Sequence, residues 1–94
     1  RYMTTLTKEN NISPTFAFEG IINVLVVGGT GSLTLERQLG DSEFYPITGY
    51  APFTLTGECA YNGSLENRGH GVKFRWVAEL DSGEVVISQS RITR

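Results

Sequence analysis

The stretch "VVGGTGSLTLERQL", residues 26–39, decides between two fold classes. Three glycines after an apolar run could form the phosphate-binding turn of a dinucleotide-binding domain, in which the glycines open a helix. Here Leu33 replaces the last glycine of the G-x-G-x-x-G pattern. The apolar residues that follow, Leu33, Leu35 and Leu39, all fall on one phase of a two-residue period, which is the period of a strand. The stretch therefore predicts a hairpin turn between two strands, with no nucleotide site.

Strand-like alternation recurs outward from this turn along the whole chain. The predicted strands are Thr15–Glu19, Ile21–Val27, Ser32–Leu39, Glu43–Thr48, Phe53–Glu58, Val72–Leu80 and Glu84–Arg91. Turn residues separate them, and no amphipathic helix of ten or more residues is apparent. Seven or eight short strands at this spacing indicate an all-β fold, an antiparallel β-sandwich of the immunoglobulin-like or jelly-roll-like kind. Residues 1–13 are expected to form an N-terminal arm or edge strand, and residues 14–94 a single sandwich domain.

Three segments carry more specific expectations. In Val72–Leu80 one face is apolar and includes Phe74 and Trp76, which predicts a core position for the tryptophan. Ile21–Val27 is apolar on both faces, so we expect it to be buried on both sides or covered by a neighbour. Residues 59–71 are expected to form a loop, because Asn62-Gly63 is a strong turn signal.

Charge and composition argue against several classes of partner. The chain has 94 residues, a net charge of −2 and eight basic residues that form no run, so we expect no binding to nucleic acid. Lys73 and Arg75 share a strand face, which we interpret as a solvated face or a subunit contact. No 18-residue apolar segment or basic-apolar leader is present, so we expect no membrane association.

The residues needed for catalysis or metal binding are few. His70 is the only histidine and Cys59 the only cysteine, eleven residues apart. A Cys–His pair remains geometrically open, but two such residues do not complete a tetrahedral metal site. Asp41-x-Glu43 has too few acidic neighbours for a calcium loop and is interpreted as a polar turn. We expect no enzymatic activity, no cofactor, no metal and no small-molecule substrate.

Two parts of the sequence resemble a known family. They are "GSLTLERQLGDSEFYPITGYAPF" (residues 31–53) and "GVKFRWVAELDSGEVVISQS" (residues 71–90). Their strand-turn patterns are similar to those of small β-sandwich virion structural proteins of tailed bacteriophages. The resemblance implies a capsid decoration (cement) protein on the outer capsid lattice, or a neck or tail subunit. It implies a location in the virion, after assembly in the host cytoplasm, and major capsid or other virion proteins as partners.

The residues themselves suggest where such contacts form. A small core without disulfides gains stability by assembly, as a homo-oligomer or a lattice-bound subunit. A threonine-rich N-terminus suits an arm that orders on a neighbour. Exposed loop tyrosines leave open an alternative, a glycan- or receptor-binding module on a fibre. The candidate partner contacts are Tyr2, Thr4, Leu6, Tyr50, Tyr61, Lys73 and Arg75.

Overall fold

A computed structural model describes residues 2–40, 43–47 and 52–91 of the chain. These residues form nine strands, in place of the seven or eight expected. The strands are β1 (Tyr2–Leu6), β2 (Phe16–Ala17), β3 (Gly20–Val27), β4 (Thr30–Leu39), β5 (Glu43–Pro46), β6 (Phe53–Thr56), β7 (Cys59–Asn67), β8 (Lys73–Ser82) and β9 (Val85–Arg91). The predicted all-β sandwich is confirmed.

The strands form two antiparallel sheets that pack face to face. The first sheet has the order β1-β9-β3-β7. The second has the order β2-β8-β4-β5, and β6 pairs with the other half of β4, so that β5 and β6 lie end to end along one edge. The chain crosses between the sheets from β3 to β4 and again from β8 to β9, while β4 pairs with β8 and β3 with β9. These four central strands therefore link the two sheets.

The core lies between the sheets and is filled by alternate residues of each strand. Trp76 is completely buried at its centre, as its phase on β8 predicts, among the rings of Phe16 and Phe53. The indole Nε1 donates a hydrogen bond of 2.7 Å to Oε1 of Gln89, which is also buried. The polar atom of the tryptophan thus has a partner, which removes the main cost of burying it.

The glycine turn between β3 and β4 is not a hairpin, so that prediction is wrong. The two strands lie in different sheets and do not pair with each other; Gly28 and Gly29 carry the chain across the sandwich. Both have positive φ, of 95° and 70°, which glycine adopts without strain. A Cβ on Gly28 would approach the Glu84 carbonyl oxygen to 2.7 Å. Glycine is therefore required here by close packing against the β8–β9 connection.

The predicted loop at residues 59–71 is also wrong over most of its length, because residues 59–67 form β7. Asn62 and Gly63, taken as a turn, lie mid-strand and pair with Leu25 and Val24. A Cβ on Gly63 would lie 3.1 Å from the Tyr61 hydroxyl oxygen, which donates to the Ser64 carbonyl. Pairing with β3 therefore overrides the local turn preference of Asn-Gly.

The N-terminal segment is an edge strand, one of the two alternatives expected for it. Residues of β1 pair with residues 85–89 of β9, and Leu6 is 1% exposed within the core. A turn closed by the Thr7 and Asn10 backbones follows. The chain then runs along β8, where the Ser13 amide donates to the Trp76 carbonyl. The first 17 residues thus contribute an edge to both sheets.

Candidate protein-binding face

The outer face of the first sheet is built by the residues that alternate with its core positions. On β3 the buried residues are Ile22, Val24 and Val26, so the residues between them point away from the core. The strand register places the outward residues of β1, β7 and β9 beside them. Together they form what we call the uncharged face: Met3, Thr5, Ile21, Asn23, Leu25, Val27, Cys59, Asn62, Ser64, Val86, Ser88 and Ser90.

Apolar side chains are exposed on β3, an inner strand of this sheet, and on the edge strand β1. Ile21, Leu25 and Val27 on β3 are 43%, 38% and 39% exposed, and Met3 on β1 is 58% exposed. None of the twelve residues carries a charge. Glu66 is an outward residue of β7 on the same side of the sheet; it pairs with Ile21 at one corner, and its Oε2 lies 3.1 Å from Nε of Arg68. Six of the twelve residues are apolar, and exposed apolar side chains grouped on one sheet face are typical of a protein-binding surface.

The uncharged face is also uneven in shape, with a ridge and a hollow beside it. Branched apolar side chains on β3 form a ridge, interrupted by Asn23. Ser90 and Ser64 flank Asn23 in register, and Ser88 and Asn62 flank Leu25. Because these flanking residues are small or polar, they leave a hollow of about 320 Å³ beside the ridge, lined by Asn23, Leu25, Asn62, Ser88 and Ser90 and floored by Val24.

The outer face of the second sheet is chemically different. Lys73, Arg75 and Glu79 lie on it in β8, as their phase predicts. The Nε atom of Arg75 lies 2.7 Å from Oε1 of Glu36, and its guanidinium covers the Phe44 ring at 4.1 Å. Arg75 therefore holds β8 to β4 and β5 within the chain. Lys73 is exposed near the end of this face.

The other predicted contact residues are distributed unevenly. Thr4 and Leu6 face the core and are buried, so they present no surface to a partner. Tyr2 is partly exposed beside them. The ring of Tyr61 is half-buried and stacks on Phe53 with centroids 5.0 Å apart, which leaves little of it for a ligand. Tyr50 lies outside the described residues.

The structure does not bring Cys59 and His70 together. Cys59 begins β7 and His70 lies beyond its end, which separates them by roughly 25 Å at the rise of an extended strand. Nδ1 of the exposed His70 lies 2.6 Å from Oε2 of Glu19. Among the described residues, no three His, Cys, Asp or Glu side chains cluster as metal ligands would. Within the same ranges, no helix is long and apolar enough to cross a membrane.

No family model, curated protein or solved structure matches this chain. Sequence reasoning did not include the residues of the uncharged face among the candidate contacts, although it carried their signal. The expectation that residues 21–27 are buried on both sides or covered by a neighbour is wrong for the described part of the chain, because β3 is covered only on its inner side.

Proposed function

We propose that this chain is a non-enzymatic structural protein of a virus particle, a capsid decoration protein bound to the outer capsid lattice. The observation that carries the proposal is the uncharged face. Ile21, Leu25 and Val27 expose apolar surface on a rigid sheet, and this surface is stabilised when other protein chains cover it. Flat sheet faces suit repeated contacts in a protein array, because hydrogen-bonded strands hold the side chains in fixed positions.

The resemblance of residues 31–53 and 71–90 to small β-sandwich virion proteins supports the same proposal. A neck or tail subunit would use the same kind of surface and differs from a decoration protein in copy number. The glycan-binding alternative relied on loop tyrosines. Of these, Tyr61 is stacked on Phe53. Tyr45 is exposed but bonds Glu43 through its hydroxyl, at 2.8 Å. No observation on the described residues favours that alternative.

The test is a count of this chain in gradient-purified particles by quantitative mass spectrometry. We expect hundreds of copies per particle, as a decoration protein requires. A dozen or fewer would move the protein to the neck or tail. Absence from the particles would overturn the virion assignment altogether.

A pair of matched variants connects the count to the face. Leu25→Lys places a charge in the uncharged face, and Leu39→Lys makes the same change at an exposed leucine of β4 outside it. We expect fewer copies of the first variant per particle and an unchanged number of the second. Equal incorporation of both would show that the face is not used in assembly.

A further inference from the structure

We propose that the chain covering the uncharged face is a second copy of this protein, packed face to face about a two-fold axis. The inference names the partner of the surface described above and so rests on the proposed function. Three properties of the face carry it: its area, its lack of charge and its relief.

The broad side of the molecule that carries the uncharged face is large enough for a dimer interface. The broad side of the molecule measures 35 by 33 Å, roughly 1,000 Å² in outline, whereas a standard interface buries about 800 Å² on each partner. The uncharged face covers roughly 19 by 23 Å at the centre of that side, from four strands about 4.8 Å apart that rise about 3.3 Å per residue. This is roughly 440 Å², about half of the standard area per partner, so the surrounding polar residues would have to supply the remainder as a rim.

The lack of charge suits a symmetric partner. In a two-fold interface the same patch is used by both copies, so a charge close to the axis would meet its own copy, and a charge elsewhere would need an opposite charge at the matching position. The twelve residues of the uncharged face avoid this, and Glu66 beside Ile21 is paired with Arg68.

The relief of the face defines a register. The two-fold axis lies in the plane of the interface, perpendicular to β3 and at the level of Val24. It places residue 23 of one copy opposite residue 25 of the other. Each Leu25 then enters the partner's hollow around Asn23, and each Val27 packs on the partner's Ile21. Glu66 lies opposite the partner's Cys59 at the rim rather than opposite the partner's Glu66. The serines and asparagines that line the hollow can exchange hydrogen bonds across the interface.

Sedimentation of the purified 94-residue chain tests the dimer. The protein concentration is varied from about 1 to 200 µM, so that a dimer of moderate affinity is detected. We expect a concentration-dependent dimer for the wild type. Val27→Glu and Ile21→Lys each bury a lone charge in the interface, and we expect association to weaken about 100-fold or more in each. Leu39→Lys, which adds a charge elsewhere, should leave the dimer intact. Circular dichroism establishes that each variant is folded.

Mixing the two disruptive variants tests the register. In the mixed dimer, the glutamate at position 27 of one copy meets the lysine at position 21 of the other, while the second Val27–Ile21 contact is unchanged. We therefore expect an equimolar mixture to associate although neither variant does so alone. A mixture that stays monomeric, when the wild type dimerises, would overturn the register proposed here.

Two further results would overturn the dimer without overturning the proposed function. A wild-type chain that is monomeric across the whole range would overturn the dimer. If the particles still carry the wild type in many copies and lose Leu25→Lys, another virion protein covers the face. A dimer that tolerates Val27→Glu forms through a different surface and also overturns the inference.

Discussion

Replacement of Leu6 by alanine tests whether the N-terminal strand is part of the core. Leu6 is 1% exposed and extends from β1 between the two sheets. Leu→Ala at such sites costs about 3–5 kcal/mol, through lost apolar transfer and the cavity that remains. A domain of this size has a total stability of about 5–14 kcal/mol, so the loss is a large fraction of it. With a urea m-value of about 1.5 kcal/mol per M, the unfolding midpoint should fall by about 2–3 M.

Trp76 provides the assay for this change. It is the only tryptophan of the chain and is completely buried, so its emission shifts to longer wavelength on unfolding. Leu39→Ala is the matched control, because the same atoms are removed from a side chain that is 66% exposed, and we expect a loss below about 1 kcal/mol. Both variants are compared with the wild type at one protein concentration. If the Leu6→Ala midpoint lay within about 0.3 M of that of the control, β1 would not contribute to the core and the reasoning would fail.

Three further substitutions probe other contacts, each measured by the same urea titration. Gly31→Ala should cost more than about 3 kcal/mol, because the new Cβ would overlap the Glu79 carbonyl oxygen and φ is 134°. Gln89→Leu should cost about 1–3 kcal/mol, because it leaves the buried indole N–H of Trp76 without an acceptor. Thr4→Val should be neutral or stabilising by up to about 1 kcal/mol, because the buried Thr4 hydroxyl has no hydrogen-bond partner among the described residues.

Each of these expectations has its own control. Gly57→Ala, at a φ of 90° in open space, carries only the cost of the backbone conformation and should be milder than Gly31→Ala. Equal losses at the two glycines would refute the steric argument. A Gln89→Leu variant as stable as the wild type would show that the indole needs no acceptor. A clear loss in Thr4→Val would mean that the hydroxyl makes a stabilising bond.

Side-chain alternation predicted the fold class and much of the core, because it reports which face of a strand is buried. On β8 the period of two placed Phe74, Trp76 and Leu80 inside without any knowledge of the partner strand. Alternation carries no information about pairing. Residues 26–32 therefore read as a hairpin, although Gly28 and Gly29 carry the chain from one sheet to the other.

Local turn signals failed where long-range pairing was stronger. Asn62-Gly63 has the composition of a tight turn, yet β3 supplies hydrogen-bond partners along the whole of β7. The candidate site was only half predictable for a related reason. The sequence showed that residues 21–27 are apolar on both faces. That the outer side of β3 is exposed depends on the sheet as a whole, in which β1, β7 and β9 lie beside β3 and not over it.

The distance between the two Cys59 residues of an assembled pair tests most directly whether the uncharged face is an interface between two copies. Cys59 is the only cysteine, is exposed and lies at the rim of the face, so a spin label attaches at one site per chain. The proposed register separates the two Cα atoms by about 22 Å, from sheets about 10 Å apart and three residues of strand on either side of the axis. We predict a dipolar distance of roughly 20–30 Å that disappears in Val27→Glu and remains in Leu39→Lys. A distance well beyond this range, or no coupling at all in the wild type, would contradict the account.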